Sequence, residues 1–215
     1  MKRTTILLAD DHSLVLAGIR KLLESAFEVV GAVDNGKSLV ADTLRLKPNV
    51  VVLDVNMPIL NGIDAGREIK RALPDTKLVF ISMHSTALYV RKAIEAGASA
   101  YVLKSGAAEE LLNAVEEVNK GGTYFSPGFG SDVIESFRAG PRESSPHVVE
   151  LTPRQRQILQ LIAEGKQNKE IAGLIFVSVK TVEFHRSRLM TILGVRSVAE
   201  LTRFAIQDGL IDAAE

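Results

Sequence analysis

The chain has 215 residues, of which 46% are hydrophobic and 24% are charged, a composition typical of one large or two small globular domains. No apolar run approaches the roughly 18 residues of a membrane-spanning helix, and the first apolar run is too short for a secretory signal. The absence of cysteine excludes disulfides, thiolate metal sites and a cysteine nucleophile. We therefore expect a soluble, cytoplasmic protein with no membrane partner.

The net charge of zero hides an uneven distribution of charge along the chain. Residues 1–125 hold 15 basic and 15 acidic side chains, and residues 126–150 hold 2 and 4. Residues 151–206 hold 9 and 4, whereas residues 207–215 hold 3 acidic side chains and no basic ones. Because a basic segment of net +5 stands apart from neutral and acidic segments, the second half of the chain favours a nucleic-acid surface.

The first 120 residues alternate between short apolar runs and segments with helical spacing. The predicted strands are Thr5–Ala9, Val29–Val33, Val50–Leu53, Leu78–Ile81 and Ala100–Leu103. Helical stripes are formed by Leu14, Val15, Gly18, Ile19, Leu22 and Leu23, and by Leu111, Leu112, Val115 and Val118. Pro48, Pro74 and Gly97 are placed to end the second, third and fourth helices. This alternation predicts an α/β fold, with a doubly wound five-stranded parallel sheet and helices on both faces.

Residues 121–150 hold five Gly and three Pro, which indicates a linker with one short helical turn near Ser131–Phe137. From Leu151 onward the spacing is helical throughout, and four helices in under 60 residues predict a small all-α domain. Their predicted N-caps are Thr152, Asn168, Ser178 and Ser197, and their predicted ends are marked by Gly165, the turn `FVS`, Gly194 and Gly209. We expect a first domain over 1–122, a linker over 123–148 and a second domain over 149–215.

Polar side chains follow four of the predicted strands where those strands end. Asp10 and Asp11 follow the first strand, Asp54 the third, Ser82 the fourth and Lys104 the fifth. The carboxyl ends of strands in an open parallel sheet meet in one crevice, so these groups are expected to converge. Three carboxylates without histidine or sulfur ligands favour Mg²⁺. A lysine and a hydroxyl beside them would suit a phosphoryl group. Each residue taken alone has a structural alternative, such as a turn former, a helix cap or a surface charge.

The motifs `ILLADDH`, `VVLDVNMPILNGID`, `VFISMHS` and `AYVLKSGA` resemble the flavodoxin-like receiver domain of two-component response regulators over residues 1–120. The resemblance implies that Asp54 accepts a phosphoryl group from a histidine kinase. It also implies that Asp11, Asp54 and the backbone carbonyl of Asn56 bind Mg²⁺, with Asp10 assisting through the second shell or a bridging water. Ser82 and Lys104 would hold the phosphoryl group, and Tyr101 would be the aromatic switch that turns inward when the hydroxyl moves.

The same set of Asp, Ser, Lys and Mg²⁺ also occurs in a class of phosphatases. Phosphatases of the haloacid dehalogenase type also combine an Asp nucleophile, Ser or Thr, Lys and Mg²⁺, but they carry a second Asp as general acid two residues after the nucleophile. Asn56 stands at that position and cannot transfer a proton. The sequence therefore favours a phosphoacceptor with at most slow autodephosphorylation over an enzyme.

The third helix of the second half, `VKTVEFHRSRLMTIL`, follows a three-residue turn and is rich in basic and hydrogen-bonding side chains, which suggests a helix-turn-helix. A solvated helix face is the alternative. The whole segment from Leu151 to Leu201 resembles the LuxR/FixJ-type helix-turn-helix domain. The resemblance implies phosphate-side contacts by Lys180, Thr181, His185 and Arg188, and base-facing positions for Glu183, Phe184 and Ser187. Phe184 could instead tuck into the small core.

Both resemblances together describe a NarL/FixJ-type response regulator. The expected function is a cytoplasmic regulator of transcription in which phosphorylation of Asp54 promotes homodimerisation and binding to double-stranded promoter DNA. The first alternative is a phosphatase with an appended domain, for which steady release of phosphate would be the sign. The second alternative is DNA binding that does not depend on phosphorylation.

Overall fold

The computed structural model describes residues 3–106, 108–127, 129 and 151–212. These residues form two compact units, one holding nearly all of them up to Phe129 and one holding those from Leu151 onward. The helical turn expected near Ser131–Phe137 lies outside the described residues. Among the described residues, no helix is long and apolar enough to cross a membrane.

The first unit is built on a parallel sheet in which every neighbouring pair of strands runs in the same direction. The strands are β1 (Thr5–Ala9), β2 (Glu28–Val33), β3 (Val50–Asp54), β4 (Lys77–Ser82), β5 (Ala100–Leu103) and β6 (Tyr124–Phe125). Their order across the sheet is β2-β1-β3-β4-β5-β6. The five predicted strands are confirmed, and the sheet has a sixth strand that the sequence does not predict.

Five helices connect these strands and cover both faces of the sheet. They are α1 (Ser13–Leu23), α2 (Gly36–Leu46), α3 (Gly62–Ala72), α4 (Ala87–Glu95) and α5 (Ala108–Asn119). Helices α2, α3 and α4 end just before Pro48, Pro74 and Gly97, as predicted. Side chains alternate between the two faces of a strand, so β3, which is buried along its whole length, contributes apolar side chains to both layers of core.

One layer of core lies between the sheet and helices α1 and α5. It buries Ile6, Leu8, Val50, Val52, Val79, Ile81, Ala100 and Val102 from the strands against Leu23, Leu111, Val115 and Val118 from the helices. The predicted stripe of α5 is confirmed. The predicted stripe of α1 is wrong at its start, because Leu14 is 85% exposed and Gly18 is exposed, while Leu16 packs on the core instead.

The second unit consists of four helices, α6 (Pro153–Ala163), α7 (Asn168–Ile175), α8 (Val179–Leu193) and α9 (Val198–Gln207). Their inward faces bury Leu151, Ile158, Leu159, Leu161, Ile171, Ile175, Val182, Leu189, Leu201 and Ala205. The guanidinium of Arg154 in α6 donates to the backbone carbonyl of Ile175, 2.8 Å away, and so ties α6 to the end of α7. Arg156 pairs with Asp208 at 3.0 Å and ties α6 to the end of α9.

Most of the predicted caps are present in this unit. Thr152 and Gln155 form a capping box at α6, and Ser178 and Ser197 accept hydrogen bonds from the backbone of Thr181 and Glu200. The cap predicted at Asn168 is wrong, because Asn168 is already helical. The carboxylate of Glu170 instead accepts from the backbone N–H of Gln167, at 2.7 Å.

Candidate functional site

The predicted carboxylates meet where the order of the strands changes direction. Strands β1 and β3 are neighbours in the sheet although β2 lies between them in sequence, and such a switch point opens a crevice at the carboxyl ends of the strands. Asp10 comes directly after β1, and Asp54 is the last residue of β3. The chain after β3 turns back on the end of that strand, so closely that a Cβ on Gly62 would collide with the backbone carbonyl of Asp54. Glycine at that position lets the loop wrap tightly around the site.

Lys104 reaches into this crevice from the end of β5 and contacts two of the carboxylates. Its Nζ lies 2.7 Å from Oδ2 of Asp54 and 2.8 Å from Oδ2 of Asp10. Both carboxylates are buried, whereas Asp11 is exposed. One lysine therefore offsets the charge of two buried aspartates, and the convergence predicted for these three residues is present.

Burial controls the ionisation of the central carboxylate. It raises the pKa of Asp54 to about 6, against the attraction of Lys104, and repulsion from Asp10 and Asp11 adds to the rise. Burial alone would lower the pKa of Lys104, but Asp54 and Asp10 outweigh it and raise that pKa. The site thus holds more negative charge than one lysine neutralises, which favours a bound cation.

The donor set fits a hard divalent cation. Ligand atoms from Asp10, Asp11, His12 and Asp54 all lie within 4.8 Å of one another. Carboxylate oxygens are the ligands that Mg²⁺ prefers. His12 was not predicted as a site residue, but its Nδ1 lies 3.0 Å from Oδ1 of Asp11. The backbone N–H of His12 also donates to Oδ1 of Asp10.

A chain of hydrogen bonds leads from the site to Tyr101. The hydroxyl oxygen of Ser82 accepts from the backbone N–H of His84 at 3.0 Å, and the carbonyl of His84 accepts from the hydroxyl of Tyr101 at 2.9 Å. Ser82 and Tyr101 are both buried, so Tyr101 already occupies an inward position.

The sequence does not predict His84 as a site residue, yet its backbone joins Ser82 to Tyr101. Its ring stacks on Tyr89 with centroids 4.2 Å apart, and its Nε2 lies 2.8 Å from Nδ2 of Asn56. Its position two residues after Ser82 was the available signal.

In the second unit, helix α8 presents one face to solvent. This face, which we call the α8 face, consists of Lys180, Glu183, Phe184, Ser187, Arg188 and Thr191, all exposed. Val182 and Leu189 on the opposite side are fully buried. Phe184 is 59% exposed, so the alternative that it tucks into the core is wrong.

The remaining predicted contact residues lie at the margin of the α8 face. Thr181 is half-buried, and its hydroxyl lies 2.9 Å from that of Ser178. His185 is half-buried, and burial lowers its pKa, with Arg154 and Arg188 adding to the effect. Arg186 donates to Asn168 Oδ1 at 3.2 Å, which holds it against the helix before the turn rather than on the α8 face.

Comparison with known proteins assigns a family to each unit. Residues 6–116 match the model of the response regulator receiver domain, and residues 149–205 match that of bacterial regulatory proteins of the luxR family. The transcriptional regulatory protein MctR of Rhizobium johnstonii is 38% identical over 209 residues, which are 96% of this chain and 94% of MctR.

Solved structures of similar architecture include the RcsB response regulator of Salmonella typhimurium. It has a TM-score of 0.62 at 28% identity, and the match covers 97% of this chain and 99% of that one. RcsB from Salmonella enterica serovar Typhimurium, bound to a promoter in the presence of the phosphomimetic BeF₃⁻, has a TM-score of 0.57 at 29% identity and coverage of 94% and 98%. The chain belongs to the NarL/FixJ-type response regulators, which join a receiver domain to a LuxR-type helix-turn-helix domain and regulate transcription.

Proposed function

We propose that Asp54 is the phosphoryl acceptor and that its phosphorylation controls DNA binding by the second unit. The observation that supports the proposal most is the contact of Lys104 with both Asp54 and Asp10 at the switch point of the sheet. A carboxylate oxygen of Asp54 attacks the phosphorus atom while the bond from phosphorus to its donor breaks. In a histidine kinase the electron pair of that bond leaves with an imidazole nitrogen. Lys104 then offsets the charge of the transferred group, and the Ser82 hydroxyl donates to one of its oxygens.

Mg²⁺ is the proposed cofactor, held by the carboxylates of Asp11 and Asp54 and the backbone carbonyl of Asn56, with Asp10 assisting. When bound, it would neutralise charge on the incoming phosphoryl oxygens. The raised pKa of Asp54 and the crowding of three carboxylates support a divalent cation here.

The site favours a lasting phosphoaspartate over steady turnover, and we propose at most slow autodephosphorylation. The residue two positions after Asp54 is Asn56, whose amide contacts His84 and cannot act as a general acid. Continuous release of phosphate from a small substrate would support a phosphatase instead.

Double-stranded DNA is the proposed partner of the α8 face. Lys180 and Arg188 supply positive charge to phosphates, with Thr181 and His185 beside them, while Glu183, Phe184 and Ser187 face base edges. An exposed phenylalanine between charged side chains suits contact with the methyl group of thymine. Promoter binding by the similar RcsB supports this assignment. We also propose that the protein acts in the cytoplasm, where bacterial promoter DNA lies.

We further propose that phosphorylated receivers pair as homodimers. One helix-turn-helix reads one half-site, so joining two of them raises affinity through effective concentration without new base contacts.

The deciding experiment follows the mass of the intact protein during incubation with acetyl phosphate. Wild type should gain one phosphoryl group only when Mg²⁺ is present, and Asp54→Ala should gain none. Asp75→Ala, which removes an exposed carboxylate far from the site, is the matched control and should behave as wild type. Equal labelling of Asp54→Ala and wild type would remove the acceptor assignment.

Dependence of DNA binding on phosphorylation has its own test. Wild type and Asp54→Asn are titrated with promoter DNA before and after treatment with acetyl phosphate. Only wild type should gain affinity. If treatment leaves the affinity of both proteins unchanged while wild type becomes phosphorylated, DNA binding is independent of phosphorylation.

A further inference from the structure

The chain that leaves the receiver's last helix returns to the sheet before it continues toward the second unit. Strand β6 pairs with β5 in parallel, with Phe125 opposite Tyr101. The backbone N–H of Ser126 donates to the carbonyl of Tyr101 at 3.1 Å. The buried hydroxyl of Ser126 accepts from the backbone N–H of Leu103 and donates to the carboxylate of Glu110, at 3.0 and 2.8 Å. These bonds fasten the start of the linker to the strand that carries Tyr101 and leads into Lys104.

Three residues further on, Phe129 packs against the ring of Tyr101. The two rings meet edge to face, with centroids 5.4 Å apart and an interplanar angle of 79°. Tyr101 is fully buried, and Phe129 is only 6% exposed. Aromatic pairs of this geometry are stabilising beyond the area they bury. Phe129 therefore contributes part of the environment that holds Tyr101 inward.

The hydroxyl of the same tyrosine belongs to the chain of hydrogen bonds that begins at Ser82. It bonds to the carbonyl of His84, whose N–H bonds to Ser82, the hydroxyl assigned above to the phosphoryl group. Tyr101 therefore has two kinds of contact. Its hydroxyl takes part in the chain of hydrogen bonds from Ser82, and its ring packs against Phe129 of the linker.

We propose that Phe129 is a positioning residue of the phosphorylation switch, acting through Tyr101, and that its docking carries the state of Asp54 into the chain leading to the DNA-binding unit. This inference rests on the proposed function of Asp54. A phosphoryl group on Asp54 would hold Ser82 and His84 in the position that bonds to Tyr101, and this favours the inward orientation of Tyr101. Phe129 packs on Tyr101 only in that inward orientation. Because coupling between two binding events is reciprocal, docking of Phe129 must strengthen binding of the phosphoryl group by the same factor.

The first test places a reporter on the contact itself. The chain contains no tryptophan, so Phe129→Trp supplies a single one beside Tyr101. Beryllofluoride with Mg²⁺ should shift its emission to the blue as the docked state gains population. The shift should disappear when Tyr101→Leu is added to Phe129→Trp. A shift of equal size in that double variant would overturn the role of Tyr101.

The second test measures the reciprocal effect with a reporter on the ligand instead of on the protein. Bound beryllofluoride is followed by ¹⁹F NMR in the full chain. Phe129→Ala should raise the half-saturating concentration about fivefold or more, the lower end of usual couplings between sites. Phe129→Leu, which keeps an apolar side chain, should lie between Phe129→Ala and wild type. Leu44→Ala, a truncation at an exposed position on α2, should not differ from wild type.

The binding measurements distinguish failure of the role proposed for Phe129 from failure of the role proposed for Asp54. If wild type binds no beryllofluoride, the proposed function of Asp54 fails. If wild type binds it and Phe129→Ala binds it equally well, Phe129 is not part of the switch and the acceptor assignment stands.

Discussion

The proposed acceptor site of the first unit and the α8 face of the second are both rich in charged side chains, but these side chains lie in different surroundings. Asp10 and Asp54 are buried and share one lysine, whereas Lys180 and Arg188 extend into solvent. Charge in a buried site interacts strongly because water screens it little, and an exposed charge contributes modestly and roughly independently of its neighbours.

This contrast fits the different functions that we propose for the two units. A switch needs a few groups whose arrangement changes together, and burial provides that coupling. A DNA-binding face needs many weak contacts whose sum depends on salt, and exposure provides them. The contrast also predicts that single substitutions have large effects in the receiver and small, additive effects on α8.

The largest effect is expected from Lys104→Ala, which leaves Asp10 and Asp54 facing each other without their cation. Loss of one partner from a fully buried ion pair costs about 3–5 kcal/mol, and Lys104 keeps a little exposure, so we take this range as an upper limit for the loss in free energy of unfolding. Denaturation by urea in the presence of a chelator measures it.

The matched control is Lys47→Ala, at an exposed lysine on the same unit, which should change stability by less than about 0.5 kcal/mol. Adding Asp10→Asn to Lys104→Ala should recover part of the lost stability, because it removes the repulsion. Equal stability of the two lysine variants would contradict the claim that burial strengthens the interaction of Lys104 with Asp10 and Asp54.

The next largest effect is expected on the coupling between phosphorylation of the first unit and DNA binding by the second. Ser82→Ala removes the hydroxyl that accepts from His84 and should leave phosphorylation of Asp54 in place while abolishing most of the gain in DNA affinity. A shift from the inactive to the activated receiver requires contacts that favour the activated state by a few kcal/mol, and the Ser82 hydroxyl is proposed to supply one of them. The measurement pairs intact mass with DNA titration, using Ser99→Ala on the same sheet unit as the control. A normal gain in affinity for phosphorylated Ser82→Ala would exclude this route.

On the α8 face, Glu183→Ala should change the preferred base at one position of each half-site. A carboxylate that accepts from cytosine N4 discriminates by roughly 1–3 kcal/mol. Titration against single-base variants of a selected site measures the preference, and Glu183→Gln, which keeps an acceptor but loses the charge, should retain part of it. A uniform loss of affinity across all bases would assign Glu183 to the backbone instead.

Lys180→Ala and Arg188→Ala should each weaken binding to all sequences alike. Each phosphate contact that is lost should reduce the slope of log K against log salt by about 0.9. Arg203→Ala removes the same charge from an exposed position on α9 and serves as the control. A change in base preference for Arg188→Ala would mean that the roles of Arg188 and Glu183 have been exchanged.

The sequence predicted that the carboxylates and the lysine of the receiver meet, because strand ends fix where these residues lie. Asp10, Asp54 and Lys104 follow apolar runs whose length and parallel order determine a common edge, so their convergence needs no knowledge of side-chain packing. The cap at Asn168 was wrong because Gln167 and Glu170 compete for the same helix start, and a difference of one residue depends on backbone angles that composition does not show.

Other features depend on contacts between distant residues. Strand β6 is two residues long and lies in a stretch rich in Gly and Pro, and its pairing depends on the fit of Ser126 to Glu110 and Leu103. His84 joins Ser82 to Tyr101 mainly through its backbone, and backbone hydrogen bonds leave no trace in residue type. The prediction for α1 was wrong at Leu14 because the first turn offers three consecutive apolar residues, Leu14 to Leu16, and residue spacing alone does not show that Leu16 is the one that packs on the core.

The smallest effect concerns the ionisation of His185. Burial lowers its pKa, and Arg154 and Arg188 lower it further. A histidine in an unfolded chain has a pKa of about 6.5. As the pH falls below this value, the unfolded chain binds more protons than the folded one. The stability contributed by neutral His185 is therefore complete above about pH 6.5 and is lost as the pH falls through the folded pKa. The loss should be small because the ring is partly exposed to solvent.

Proton NMR of the full chain, with His185→Gln for assignment, should show this histidine titrating below the ordinary value. In the proposed complex a DNA phosphate lies beside Arg188, so bound DNA should bring negative charge close to His185 and raise its pKa. Urea midpoints of wild type and His185→Gln at pH 7.5 and 5.5 isolate its share of the acid destabilisation, since the variant should lose less stability between them. Titration of His185 at or above the ordinary histidine value in the free protein would contradict the effect of burial and of the neighbouring Arg154 and Arg188 on its proton.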